Sequence, residues 1–174
     1  KSLGMLQHDR AKFDEAFNYH QQAIDIGRQL VADFPAVLQY RSDLASSYTD
    51  LGLVEKNRGK WNESLVAQQQ ALAISKNLVE ETPDVADYRF QLAGQYHNVA
   101  NLQTRLGQHD QAEDHYEKAI AASKRLVEEN PAVTKYRNHL AKHYGDLGEL
   151  QKNAGKQEEA WASHQLALTM RKKL

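Results

Sequence analysis

Apolar side chains recur every three or four residues along most of this chain, a spacing that predicts helices and not strands. Between residues 83 and 106, five of them fall on one stripe of a helix with 3.6 residues per turn: Val85, Tyr88, Leu92, Tyr96 and Val99. A second helix is predicted from about Trp61 to Glu81, where Leu65, Leu72 and Val79 stand seven residues apart. The pattern therefore indicates an all-α protein built from pairs of long helices.

The helix pairs repeat every 48 residues. Pro35, Pro83 and Pro131 each open the string Pro-x-Val-x-x-Tyr-Arg-x-x-Leu-Ala-x-x-Tyr. Other columns keep the same period: Tyr40, Tyr88 and Tyr136; Leu44, Leu92 and Leu140; Ala23, Ala71, Ala119 and Ala167; Leu30, Leu78, Leu126 and Leu174. The chain is thus predicted to be one repeat array over residues 1–174. Its parts are a partial repeat at 1–34, repeats at 35–82 and 83–130, and a repeat lacking its last turn at 131–174. We expect it to be excised from a longer array.

Turn residues predict where the helices begin and end. Pro83 suits the first helical position, with Thr82 as its N-cap, and Asn130 with Pro131 repeats this arrangement. Gly107 is expected to end the first helix of its repeat, because glycine accepts the left-handed conformation that closes a helix. Gly59 and Gly155 hold the same column, whereas Ala11 occupies it in the partial first repeat, so its turn should be strained or differently shaped.

Composition excludes several classes of function. The chain has 174 residues, a formal net charge of -1 and no cysteine. Near-neutral charge argues against binding driven by nucleic-acid phosphates. The lack of cysteine excludes disulfides and thiolate metal sites and suits a reducing compartment, so we expect a cytoplasmic protein. No apolar run approaches the roughly 20 residues of a membrane-spanning helix, which predicts no membrane partner.

At this point the residues resemble the tetratricopeptide repeat family, whose signature spans 34 residues. Tyr48-x-x-Leu51-Gly52 and Tyr144-x-x-Leu147-Gly148 match its opening, and Ala112-x-x-x-Tyr116 with Ala119 matches its second helix. The chain departs from the signature in its fourth opening residue, in its closing proline and in the length of the unit. A 48-residue unit with the Pro-x-Val-x-x-Tyr-Arg string is similar to extended repeat tracts of large bacterial signalling proteins.

The resemblance implies a right-handed α-solenoid of antiparallel hairpins, with about 3.5 repeats and eight helices counting a partial first one. It also implies a non-catalytic scaffold that binds a protein or peptide, acidic or C-terminal, on a concave surface lined by the first helices. The family's groove positions fall on Thr49, Leu53, Lys56 and Asn57; His97, Asn101, Thr104 and Arg105; Gly145, Glu149, Lys152 and Asn153, with His8 and Asp9 extending the row. These residues avoid the predicted core columns.

Two alternatives stay open at this stage. The groove residues fit an ordinary solvated helix face equally well. The whole module also fits a structural, oligomerising or regulatory spacer that stacks end to end with further repeats, another copy or an attached signalling domain.

The eight histidines do not form a recognisable catalytic or metal motif. His139 and His143 have a spacing that can grip zinc, but no third ligand is fixed, so they are predicted to be exposed. His20 and His164 replace a core aromatic and are predicted to be half-buried. With no nucleophile and base pairing and no phosphate loop, no enzyme activity and no cofactor are expected.

Two further expectations concern individual contacts. Acids that end second helices, Asp33, Glu80, Glu81, Glu128 and Glu129, are predicted to pair with Arg41, Arg89 and Arg137 of the following helix. Trp161 shares a column with Phe17 and Leu65 and is predicted to be buried. Trp61 is predicted to cover the turn between two helices.

Overall fold

Seven helices make up the computed structural model, which describes the backbone of residues 3–172 and the side chains of residues 13–172. They are α1 (Leu3–Asp33), α2 (Leu38–Asn57), α3 (Trp61–Glu81), α4 (Ala86–Arg105), α5 (His109–Glu129), α6 (Thr134–Asn153) and α7 (Gln157–Lys172). No strand occurs within residues 3–172. The all-α prediction is confirmed, and α3 has the predicted bounds.

The prediction of eight helices is wrong, because the partial first repeat contains one helix and not two. Gly59, Gly107 and Gly155 have φ angles of 77°, 76° and 79° and separate α2 from α3, α4 from α5 and α6 from α7. Ala11 occupies the same column, and α1 runs through it without a break. A left-handed residue is costly for alanine, whose Cβ meets the backbone there, so the helix continues instead.

The prediction for the helix starts is also wrong by three residues. Pro83 precedes α4, whose N-cap is Val85, and the amide of Val85 donates to the Thr82 carbonyl over 3.2 Å. Val133 likewise donates to Asn130 over 3.0 Å. Proline therefore occupies the second position of a β-turn, which its fixed φ favours, and the helix begins after the turn. Val85 is consequently 38% exposed and does not belong to the buried stripe.

The chain divides into two compact units, residues 1–78 and 79–174. In the first unit, the core lies where α1, α2 and α3 meet, and Ile24 and Ala71 in it have no exposed surface. Leu44, Tyr48 and Leu51 of α2 complete it. Arg28 donates from Nε to the Tyr48 hydroxyl over 2.9 Å, so the polar tip of this buried tyrosine is satisfied.

The second unit has a core of the same kind, formed by α4 to α7. Leu140 and Ala167 in it come from the predicted columns, and Ala112, Tyr116, Tyr144 and Leu147 from the family signature. The full set of buried members is Ala100, Ala112, Tyr116, Ile120, Leu140, Tyr144, Leu147, Leu150 and Ala167. Gln103 of α4 bonds Gln111 of α5 near the turn, and Asn101 bonds Tyr116 farther away, the order expected of an antiparallel pair. Ala119 lies in this core with no exposed surface. Because its side chain is small, the neighbouring helices can approach closely there.

The burial prediction for Trp161 is wrong. Its side chain is 67% exposed, whereas Leu65 in the same column is 8% exposed. On α1 and α5 this column faces the hairpin that follows: Phe17 lies 4.8 Å from the Arg58 guanidinium, and Glu113 binds Lys156 over 2.6 Å. No helix among the described residues packs on that side of α7.

The predicted arginine pairing is realised differently for Arg89. Its guanidinium binds Glu129, at the end of the second helix of its own hairpin. The start of α4 and the end of α5 lie together because the two helices run antiparallel. Arg125 also binds Glu129, over 2.7 Å, and the hydrogen bonds from Arg89 and Arg125 lower the pKa of this carboxyl to about 2.

None of the helices within residues 3–172 combines the length and the hydropathy that crossing a membrane requires.

Candidate functional site

The predicted binding residues of the first unit lie along α2. Leu53 is 50% exposed, and Lys56 and Asn57 are exposed near the end of the helix. Thr49 is half-buried and donates its hydroxyl proton to the Ala45 carbonyl over 2.8 Å. The side chains of His8 and Asp9 lie outside the described residues.

The predicted residues of the second unit lie on α4 and α6, which are joined by a short contact. His97 Nε2 lies 2.6 Å from Asp146 Oδ2, so the two first helices are adjacent at mid-length. The remaining members of the row are exposed or half-buried: Asn101, Thr104 and Arg105 on α4, and Gly145, Glu149, Lys152 and Asn153 on α6. The structure thus brings the predicted binding residues of α4 next to those of α6.

His97 is the exception in this row, because it is 3% exposed. The amide nitrogen of Asn101 lies 3.1 Å from its ring, and the Tyr116 hydroxyl donates to Asn101 Oδ1 over 3.0 Å. Burial raises the pKa of Tyr116 to about 12, which keeps this phenol a donor. A hydrogen-bonded chain therefore leads from Asp146 through His97 and Asn101 to Tyr116 and fixes the inner edge of the row. Asp146 was missed by the sequence analysis because its partner is 49 residues away.

His143 packs against His97, with ring centroids 4.6 Å apart, and it is 1% exposed. Its predicted exposure is therefore wrong, whereas His139 on the same helix is exposed. Neither ring nitrogen of His143 has a hydrogen-bond partner among the described residues. Burial, with smaller effects from His97, His139 and Lys142, lowers the pKa of His143 to about 2, so the ring is neutral at physiological pH.

This histidine cluster does not form a metal centre within the described part of the chain, where no three histidine or acidic side chains converge suitably. Its rings instead pack on aromatic neighbours: Phe90 lies 4.6 Å from His139. His97 and His143 are therefore packing groups at the contact between α4 and α6.

The exposed row carries charges of both signs. Lys152 lies 3.3 Å from Glu149 on the same helix, a pair that is about half-exposed on both sides. Such pairs contribute roughly 0–1 kcal/mol, so Lys152 can exchange Glu149 for another carboxylate at little cost. Arg105 and Lys56 occupy the corresponding ends of α4 and α2.

A second surface, on the second helices, was not predicted. A cleft of about 490 Å³ lies between α5 and the start of α7 and is lined by Asp110, Glu113, Asp114, Glu117, Gln151, Lys156 and Glu159. Gln151 and Lys156 both bind Glu113, over 3.2 and 2.6 Å, and the bond from Lys156 lowers the pKa of this carboxyl. Glu113 is a carboxylate in the otherwise apolar column of Phe17 and Leu65, which the sequence shows. Its partners, Gln151 and Lys156, could not be predicted from the sequence.

Two family models match the chain. The model of the family described as Protein of unknown function (DUF2753) matches residues 46–171. A tetratricopeptide repeat model matches residues 2–36. No curated protein matches the sequence significantly.

Solved structures show the same fold at low sequence identity. The crystal structure of BtubC (BKLC) from P. vanneervenii superposes with a TM-score of 0.67 at 21% identity, covering 93% of this chain and 58% of that one. The chain thus spans a little over half the length of BtubC. The crystal structure of MamA gives a TM-score of 0.53 at 17% identity, covering 99% of this chain and 96% of that one. The fold is therefore tetratricopeptide-like.

Proposed function

We propose that this chain, which belongs to the family of proteins of unknown function DUF2753, is a non-catalytic scaffold that binds a peptide or protein segment through its first helices. The contact between His97 and Asp146 carries the proposal, because it aligns the exposed residues of α4 and α6. Tetratricopeptide-like folds are generally protein-interaction scaffolds, and the chain needs no cofactor for this role. The 48-residue unit and a cytoplasmic location belong to the same proposal.

The chemistry of the row favours an acidic peptide or a free C-terminal carboxylate. Arg105 and Lys152 supply cations, and Asn153 supplies an exposed amide of the kind that binds extended peptide backbone. Lys56 and Asn57 provide the same residue types on α2.

Fluorescence polarisation with defined peptides tests this proposal. We expect a glutamate-rich peptide with a free C-terminus to bind, its amidated form to bind more weakly and a lysine-rich peptide not to bind. Alanine at Lys56, Arg105 and Lys152 together should abolish binding. Alanine at Lys76, Arg171 and Lys172, which are exposed on second helices, is the matched control and should leave it unchanged. Equal losses in both triple variants, or equal binding of all three peptides, would refute the proposed surface.

One observation favours the alternative role of a structural module that stacks end to end. Trp161 and Leu168 stand seven residues apart on α7 and are 67% and 45% exposed. Ile24, in the column of Leu168, is fully buried. A further first helix seated on α7 would cover both side chains. Light scattering over a concentration series then shows growing oligomers, and Trp161→Ser suppresses the growth; a constant mass excludes this role.

A further inference from the structure

A cavity of about 380 Å³ lies in the first unit, between α1 and the hairpin of α2 and α3. Much of its lining is apolar: Tyr48 and Leu51 of α2 and Ala67 of α3 are buried side chains that contribute to it. Val66 of α3 also lines the cavity and is 58% exposed, so this side chain lies where the cavity opens to solvent. This volume and these walls are typical of a site for a small organic molecule.

The charged groups of the cavity lie towards opposite ends of it. Arg28 donates from Nε to the Tyr48 hydroxyl over 2.9 Å. Glu55 stands seven residues after Tyr48 on α2, about 10 Å farther along the helix, and Glu63 stands near the start of α3. Two carboxylates and one guanidinium give the lining a net charge of -1, which favours a cation at the end away from Arg28.

Glu55 is a buried carboxylate, 5% exposed, whose hydrogen bonds are long. Its two oxygens lie 3.4 and 3.3 Å from Nη1 of Arg58, whereas charge-assisted bonds usually measure roughly 2.7–2.9 Å. Arg58 makes a shorter bond, of 2.8 Å, to Asp14. Because burying a carboxylate is costly unless strong donors satisfy it, Glu55 has the capacity to accept a further hydrogen bond.

The corresponding residue of the α6 and α7 hairpin is satisfied within the protein. Gln151 stands in the column of Glu55, and its amide oxygen accepts from the Ser163 hydroxyl over 2.8 Å. Ala67 occupies the column of Ser163, so the α2 and α3 hairpin lacks that hydroxyl. The donor that Gln151 receives from its own chain is therefore missing where Glu55 lines the cavity.

The α4 and α5 hairpin shows how close the two acidic columns can lie. Gln103 and Gln111 occupy the columns of Glu55 and Glu63, and Gln103 donates to Gln111 over 3.1 Å. Two ionised carboxylates in these columns cannot bond each other, because both are acceptors only. A cation that donates to both would replace the bond that the two amides make directly.

We propose that this cavity binds a small organic amine, a primary ammonium group carried on an aromatic or branched apolar body. The ammonium group has three donors and bonds Glu55 and Glu63, while the apolar body packs on Leu51, Val66 and Ala67. A lysine side chain carries the same cation on an unbranched chain that fills less of the apolar volume, so lysine-rich peptides are poor ligands. None of the lining residues belongs to the exposed row, so this site is independent of peptide binding.

An NMR titration of the full chain with 2-phenylethylamine tests the proposal. Amide signals of residues 48–55 and 63–70 should shift and saturate. Two probes separate the parts of the ligand: 2-phenylethanol keeps the apolar body without the charge, and Nα-acetyl-lysine amide keeps the charge without the aromatic body. Each should bind at least tenfold more weakly than 2-phenylethylamine.

A single variant tests the acidic end of the cavity. Glu55→Gln installs the residue that Gln103 and Gln151 place in this column, so the fold tolerates it, and it should weaken amine binding at least tenfold. Glu80→Gln, which removes the same charge from an exposed position of α3, is the matched control and should leave the affinity unchanged. Circular dichroism verifies that both variants keep the wild-type helix content.

Three results would overturn the proposal. They are the absence of saturable binding to the wild type, binding of 2-phenylethanol as tight as that of the amine, and equal affinities in Glu55→Gln and Glu80→Gln.

Discussion

Helices α1 and α5 occupy the same sequence columns and differ in what surrounds them. Ala119 and Leu126 of α5 are fully buried, whereas Ala23 and Leu30 of α1 are exposed and half-buried. α5 is preceded by Gly107, where the chain reverses and brings α4 against it, and α1 runs straight through Ala11. The two helices thus differ both in the turn residue that precedes them and in the burial of the same apolar columns.

The largest expected effect comes from placing the same side chain in both environments. Ala119→Arg buries an unpaired cation and should lower the free energy of unfolding by about 3–5 kcal/mol or prevent folding. Ala23→Arg should change the stability of the monomer by less than about 0.5 kcal/mol. Urea denaturation at low protein concentration measures both. Equal losses would show that α1 is covered within its own chain.

Acid should destabilise the second unit through His143. Its folded pKa, about 2, lies below the ordinary value of 6.5, so the unfolded chain takes up a proton that the folded chain excludes. Stability from the neutral ring is therefore complete above pH 6.5 and lost progressively below it, by about 2 kcal/mol at pH 5.

His143→Leu isolates this effect from the neighbouring His97, His139, Lys142 and Asp146. It should match the wild type at pH 7.5, because the nitrogens it removes lack hydrogen-bond partners among the described residues, and exceed it at pH 5. Thermal melting of both proteins at the two pH values measures the difference. Parallel pH profiles for His143→Leu and the wild type would rule out a buried neutral ring.

The ion pair between Arg89 and Glu129 joins the ends of the α4 and α5 hairpin. Asp33, in the column of Glu129, accepts instead from Gln29 of its own helix over 2.9 Å. Arg89→Ala should cost about 1–2 kcal/mol, because it removes a buried side chain and one partner of Glu129. Arg89→Met keeps the packing and loses the charge. Full rescue by methionine would mean that packing alone matters.

The smallest effects concern two glycines, and they should have opposite signs. Gly107→Ala forces alanine to a φ of 76° and should cost about 1 kcal/mol, although no atom would lie within 4 Å of the new Cβ. Gly94→Ala lies inside α4 with equally open space and should stabilise by about 0.5–1 kcal/mol. Thermal melting compares them, and equal signs would remove the conformational explanation for the break between helices.

Much of the fold follows from the sequence because burial repeats with the 48-residue columns. Leu44, Leu92 and Leu140 are all buried, and the bounds of α3 were predicted correctly. Ala11 breaks the turn column in the sequence, but this break alone does not reveal that the helix continues through it. The conformational preference of each residue can be predicted from the sequence. The course of α1 depends in addition on whether a left-handed turn at alanine or a continuous helix has the lower free energy.

The site was predicted only in outline. The exposed residues Arg105 and Lys152 follow from the column pattern, whereas the burial of His97 and His143 does not. Both histidines lie at the contact between α4 and α6, and a contact between residues 49 apart, as between His97 and Asp146, leaves no trace in helical periodicity. The same reason explains why Trp161, despite its apolar column, is exposed: burial requires a partner helix as well as an apolar side chain.

Amide hydrogen exchange in dilute protein tests the central claim most directly, that the apolar face of α5 is covered by a neighbouring helix and that of α1 is not. Amides of α5 should be strongly protected, whereas those of residues 16–30 should exchange faster. Protection of α1 that equals that of α5 in dilute protein would contradict the account.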